Sequence, residues 1–206
     1  MKKKNGSLLG FIVVIAMGFA FYSGLGAISG KGGALTYSYV VDGITRVFGK
    51  QILWFLMNFV EAQFYAGVFA GAGIILGGIA AWFLAKNKSR LMGFPVCYGS
   101  PSIFPWVLAS QLLSLGLAIF VYRYIGLFDS MGTTWVATFI TVVGAPPSIM
   151  LLYGPSLPAL LVGSAMAGLL SAPFATWLAE SIIIPLKLPG VVSNVLTMAF
   201  VGILTC

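Results

Sequence analysis

Long apolar runs separated by short polar or helix-breaking punctuation dominate this chain. Lys2, Lys3 and Lys4 precede an uncharged run from Leu8 to about Ser29, long enough to cross a hydrocarbon core of roughly 30 Å as a helix. A secretory leader is the competing reading, but its apolar stretch is usually shorter and is not followed by further membrane segments. Gly30, Gly32 and Gly33 end this run. From about Thr36 to Val60, Asp42, Arg46 and Lys50 recur at i, i+4 and i+8, which puts them on one helical face. Val40, Ile44, Val47, Phe48 and Ile52 form the apolar face. The segment is therefore expected to be amphipathic, with Asp42 able to pair with Arg46.

A second spanning run, Phe64 to Ala85, carries two GxxxG spacings, Gly67/Gly71 and Gly73/Gly77, and ends at Lys86, Lys88 and Arg90. Small residues at this spacing let helix backbones approach closely; packing within the chain is expected ahead of dimerisation. Breakers crowd Met92 to Phe104, among them Gly93, Pro95, Gly99 and Pro101, and read as irregular or re-entrant backbone. Beyond Pro105 a helix resumes to about Arg123. Fifty residues from Ser130 to Ala179 then lack any ionisable acid or base. A straight helix of that length would be about 75 Å long, so the chain must double back, and Tyr153–Pro158 is the natural turn. Inside the first arm, Gly144-Ala145-Pro146-Pro147-Ser148 predicts a broken helix, because two prolines remove two amide donors. Ile184–Gly190 is another break. The last run, Val191 to Cys206, has no polar tail; either its helix is short or partly buried, or the chain is part of a longer polypeptide or an assembly, and the second is expected ahead of the first.

Composition turns this pattern into a solvent. Of 206 residues, 60% are apolar and 7% charged, against roughly 25% charged in ordinary globular proteins. The expected fold class is all-α: one polytopic integral membrane domain over 1–206, with about six transmembrane helices plus the amphipathic segment. Histidine is absent, which excludes imidazole general bases and imidazole metal sites. Two cysteines cannot make a four-ligand zinc site, and no cofactor or metal motif appears. The net charge of +7 does not point to nucleic acid: nine of the eleven basic residues lie in 1–90, at the ends of apolar runs, as orientation signals do. Clustered Lys2–Lys4 and Lys86–Arg90 place the N-terminus in the cytoplasm, in what is expected to be a bacterial inner membrane.

A shift of 95 residues aligns Ala72-Gly73-Ile74-Ile75 with Ala167-Gly168-Leu169-Leu170, Trp82 with Trp177, Ala80 with Ala175, and Val47 and Gly49 with Val142 and Gly144. Repeat units 1–95 and 96–190 with an odd number of crossings would be inverted, a recurring transporter design. Three crossings before Lys86 would, however, put its basic cluster outside.

Residues for a substrate or ion site are few. Glu61 is the sharpest, since carboxylates near apolar spans face cavities or partners; its alternative is a boundary cap. Asn58, one turn earlier, shares its face. Gly144, Pro146, Pro147 and Ser148 can expose carbonyls and a hydroxyl at membrane depth. Gln111, with Ser110 and Ser114, lines a polar path or glues helices together, and Asn194 can do either. Thr134, Thr138 and Thr141 share a face and read as structural. The expected function is a non-enzymatic permease, channel or transporter subunit for a small solute or ion, embedded in lipid as a homo-oligomer or beside a partner subunit. The alternative is a scaffold subunit that transports nothing.

Overall fold

The structure, a computed structural model, describes residues 8–29, 37–60, 67–92, 101–123 and 142–205. Every regular element among them is helical: α1 (Leu8–Ser29), α2 (Tyr37–Val41), α3 (Phe48–Met57) with a 3-10 turn at Asn58–Val60, α4 (Val68–Lys86), α5 (Phe104–Val121), α6 (Ala145–Tyr153), α7 (Leu157–Ile183) and α8 (Val191–Thr205). Three of these, α4, α5 and α7, are long and apolar enough to cross a membrane. At 1.5 Å per residue, the 19 residues of α4 reach about 28 Å. The 27 of α7 reach roughly 40 Å, which a bilayer accommodates by tilt.

Large apolar side chains lie exposed around a core that is itself mainly apolar but also encloses hydroxyls and amides. Leu76, Phe83, Leu152 and Ile203 are exposed, whereas Asn58, Ser110, Ser114, Ser164, Ser171 and Thr197 are buried. Exposed side chains of this kind on nearly every helix fit hydrocarbon as the surrounding medium, and buried hydroxyls are the usual adhesive between membrane helices.

Side-chain pairs fix the directions of the helices. Ser164 meets Ser110, and Gly168 lies against Ser114 and Leu117, so α7 runs parallel to α5. Ser193 bonds Ala175 while Leu204 sits beside Val162, so α8 runs antiparallel to α7. Trp82 stacks on Phe104, whereas Gly71, toward the other end of α4, touches Leu56, next to Phe55, whose ring stacks on Phe120. Hence α4 is antiparallel to α5. Between α5 and α7 in sequence, α6 leads into α7 through the Gly154 turn and packs on the first half of that helix, with Ile149 against Gly163.

Several local expectations are met. The chain turns after Tyr153 through Gly154, whose φ of 81° suits a residue without Cβ, and Ser156 caps α7 by accepting from the Ala159 amide. Pro105 lies in the first turn of α5, where its missing amide costs nothing. Gly71 provides the close approach within the chain: a Cβ there would overlap the Leu56 carbonyl. Gly73 and Gly77 face open space.

The amphipathic segment departs from the reading as one helix. Gly43, at φ 68°, and the turn that follows separate α2 from α3, so Asp42, Arg46 and Lys50 do not share a helical face. Asp42 pairs with Lys50 at 3.7 Å instead of with Arg46; the same ammonium donates to the Asp42 carbonyl and lies 4.4 Å from the Tyr39 ring centroid. The proposed apolar face also divides. Val40 and Ile44 are buried in the core, while Val47, Phe48 and Ile52 are exposed.

Candidate functional site

The break at Gly144 lies beside the middle of α5, where Gln111 and Ser114 reach Val143 and Val142. An α-helical amide bonds the carbonyl four residues earlier, so amides at 146 and 147 would serve Val142 and Val143. Pro146 and Pro147 have no amide hydrogen, and both carbonyls need other donors. The neighbouring helix supplies them. The Ser114 hydroxyl donates to the Val142 carbonyl at 2.8 Å, and the Gln111 amide donates to the Val143 carbonyl at 3.3 Å. Gln111 and Ser114 sit near the middle of α5, a helix long and apolar enough to cross a membrane, and within such a span an unpaired carbonyl is most costly.

The brace is held from behind by α7. Ser164 donates to the Ser110 carbonyl at 3.2 Å, Ser110 donates to Val107, and Gly168 admits the α5 backbone. A Cβ on Gly168 would lie 2.5 Å from the Ser114 carbonyl oxygen. Around this contact the helices leave α geometry: Leu117–Val121, Val142–Val143 and Met166–Ser171 are π-helical, as is Ala179–Ile183 further along α7. Such bulges recur at functional positions.

A second polar seam joins α7 to α8. Ser193 donates to Ala175, Thr197 to Ser193, Thr176 to Ala172 and Ser171 to Met166. Each of these hydroxyl protons is committed to a backbone carbonyl. Asn194, 6% exposed, shares this buried face of α8, and its Oδ1 is enclosed without a hydrogen-bond donor among the described residues.

The sequence-derived candidates thus separate. Gln111, Gly144, Pro146 and Pro147 come together at the brace. Ser148 is exposed and outside the network. Asn58 is buried and donates to the Trp54 carbonyl at 2.7 Å, closing its own helix. Asn194 lies in the other seam. Glu61, Thr134, Thr138 and Thr141 lie outside the described residues, as does most of the breaker-rich 92–104 segment. Sequence reasoning missed Ser164, Ser171, Thr176, Ser193 and Thr197. The i, i+4 spacing of Ser193 and Thr197 in an apolar helix was the available signal. Among the described residues no group of three metal-ligating side chains occurs. No protein-family model, curated protein or solved structure matches this chain.

Proposed function

We propose that this protein is a transport subunit moving a small solute or ion across a bacterial inner membrane. The observation that carries this reading is the break at Gly144, where Pro146 and Pro147 open α6 and the carbonyls of Val142 and Val143 are served by side chains from the middle of α5. Interrupted helices near the membrane midplane are where transporters hold their cargo, and non-helical backbone there is otherwise a liability. In this reading the Val142 and Val143 carbonyls keep a second lone pair for cargo, and Asn194 Oδ1 accepts a hydrogen bond from it along the adjoining seam.

The proposed topology has six crossings: α1, α4, α5, the return ending in α6, α7 and α8, with residues 36–60 not crossing. The end where Lys86, Lys88 and Arg90 cluster, with no acid there among the described residues, is taken as cytoplasmic; the opposite end carries Arg46, Lys50, Arg123 and Lys187, interspersed with Asp42 and Glu180. A partial inverted repeat fits as well. Shifted by 95, α4 falls on 163–181 of α7, and these two helices run in opposite directions. Each is preceded by a short helix packed on its first half, α3 and α6.

Proteoliposomes test the function. Light scattering after challenge with potassium chloride, glycerol or urea gives an entry rate for each probe. At least one is expected to enter faster than in protein-free vesicles, with Pro146→Ala/Pro147→Ala and Asn194→Leu reducing that rate. Equal rates for every probe with and without protein refute transport of this class. The second reading, a scaffold, is favoured by the open α4 face bearing Phe69, Gly73, Gly77 and Phe83. It expects Glu61→Gln to impair assembly and leave uptake intact.

A further inference from the structure

At the end of the bundle where α6 turns into α7, a groove of about 390 Å³ opens between α6, α7 and the last turn of α8. Its volume is in the range of small-ligand sites. The lining is graded. Tyr153 and Ser156 stand at the turn, and Ile149, Pro158, Ala159, Val162, Met166 and Leu204 form the apolar remainder. From Ser156 to Met166 is ten residues, about 15 Å along the α7 axis, so the polar end lies at the membrane boundary and the apolar end reaches inward. Tyr153, Val162 and Leu204 are each at least half exposed, so the groove opens sideways rather than to water alone.

We propose that this groove holds one phospholipid of the leaflet at the Lys86–Arg90 end, with an acyl chain along Val162 and Met166 and its headgroup at the Tyr153–Ser156 turn. Three features select this occupant. An amphiphile with one polar end and one long apolar part matches the grading, which a water-soluble solute does not. The opening faces the medium in which lipid is the available molecule. The Ser156 hydroxyl accepts from the Ala159 amide and keeps its proton to donate to a phosphate or ester oxygen. The site is separate from the Pro146–Pro147 break and does not depend on the transport reading.

The test uses the full chain purified in dodecyl maltoside, stripped of lipid and incubated with phosphatidylglycerol. Native mass spectrometry is expected to show one retained lipid per chain. Val162→Trp and Ala159→Phe, which fill the groove, are expected to lower occupancy at least tenfold. Leu76→Trp, on the exposed face of α4, is expected to leave it unchanged. Phosphatidylglycerol is also expected to raise the wild-type unfolding temperature, which its short-chain analogue does not, so the site is read even if both filled variants misfold. Absence of retained lipid in the wild type overturns the proposal, as does equal retention by Val162→Trp and Leu76→Trp. An equal thermal effect of the short-chain analogue also overturns it.

Discussion

Removing the brace should reveal that it substitutes for two particular amides. Ser114→Ala leaves the Val142 carbonyl without its 2.8 Å donor, and Gln111→Leu leaves Val143 without its 3.3 Å donor. An unsatisfied buried acceptor costs about 1–3 kcal/mol, but hydrogen bonds inside membrane proteins measured by double-mutant cycles average about 0.6 kcal/mol with a maximum near 1.7. The shorter bond belongs toward the upper end and the longer toward the mean, so about 2 kcal/mol is expected for the pair. The decisive experiment repeats both substitutions in a Pro146→Ala/Pro147→Ala background. There the restored amides serve the same two carbonyls, and the cost of losing the side-chain donors should fall below about 0.5 kcal/mol, the scatter expected of independent sites. Reversible unfolding in mixed micelles, followed by circular dichroism, measures each corner of the cycle. If Ser114→Ala costs the same with and without the prolines, the two features are unrelated and the account of the break is wrong.

Gly71 and Gly77 on α4 make a sharp contrast. Gly71→Ala drives a methyl into the Leu56 carbonyl and should destabilise by about 1–3 kcal/mol through overpacking, whereas Gly77→Ala meets nothing and should gain up to about 1 kcal/mol of helix propensity in the same unfolding assay. Asn194→Leu should leave stability unchanged or raise it by about 1 kcal/mol, because the unpartnered Oδ1 contributes desolvation cost and no bond; a loss above about 2 kcal/mol would mean the amide is already satisfied within the chain. Burial, and secondarily the Glu180 carboxylate, raise the Tyr122 phenol above its ordinary 10.0. The folded state therefore holds this proton more tightly than the unfolded chain, and the contribution to stability falls as pH rises through about 10 toward the folded value. Spectrophotometric titration, with Tyr122→Phe to assign the signal, should show Glu180→Gln lowering that pKa part of the way.

What the sequence made legible was whatever depends on local chemistry and solvent. The apolar runs, the turn at Tyr153–Pro158 and the Pro146–Pro147 break all follow from residue types acting on their own backbone. The amphipathic segment failed because spacing arithmetic assumes an unbroken helix. Gly43 breaks it at a positive φ, and once it does, the i+8 partner Lys50 reaches Asp42 while the i+4 partner Arg46 does not. The polar seams were only half legible. Serine and threonine in an apolar run announce a hydrogen bond, but the carbonyl that receives it belongs to another helix, and the crossing of helices is not written in any one of them.

The brace also constrains what kind of site this can be. A carbonyl set free at mid-depth is usually offered as a ligand for cargo, yet here each freed carbonyl already accepts from α5. On the proposed transport reading, cargo at Val142 or Val143 must therefore use the second lone pair, or displace Ser114 or Gln111. These routes differ in consequence. Sharing leaves the α5–α6 contact intact, so Ser114→Ala should alter affinity little. Displacement breaks a contact that Gly168 on α7 holds from behind, so cargo binding would loosen α5 against α7 at the π-helical turns Leu117–Val121 and Met166–Ser171, and Ser114→Ala should tighten binding by removing the competitor. In proteoliposomes this appears as the direction in which half-saturation moves, and an unchanged value would exclude displacement.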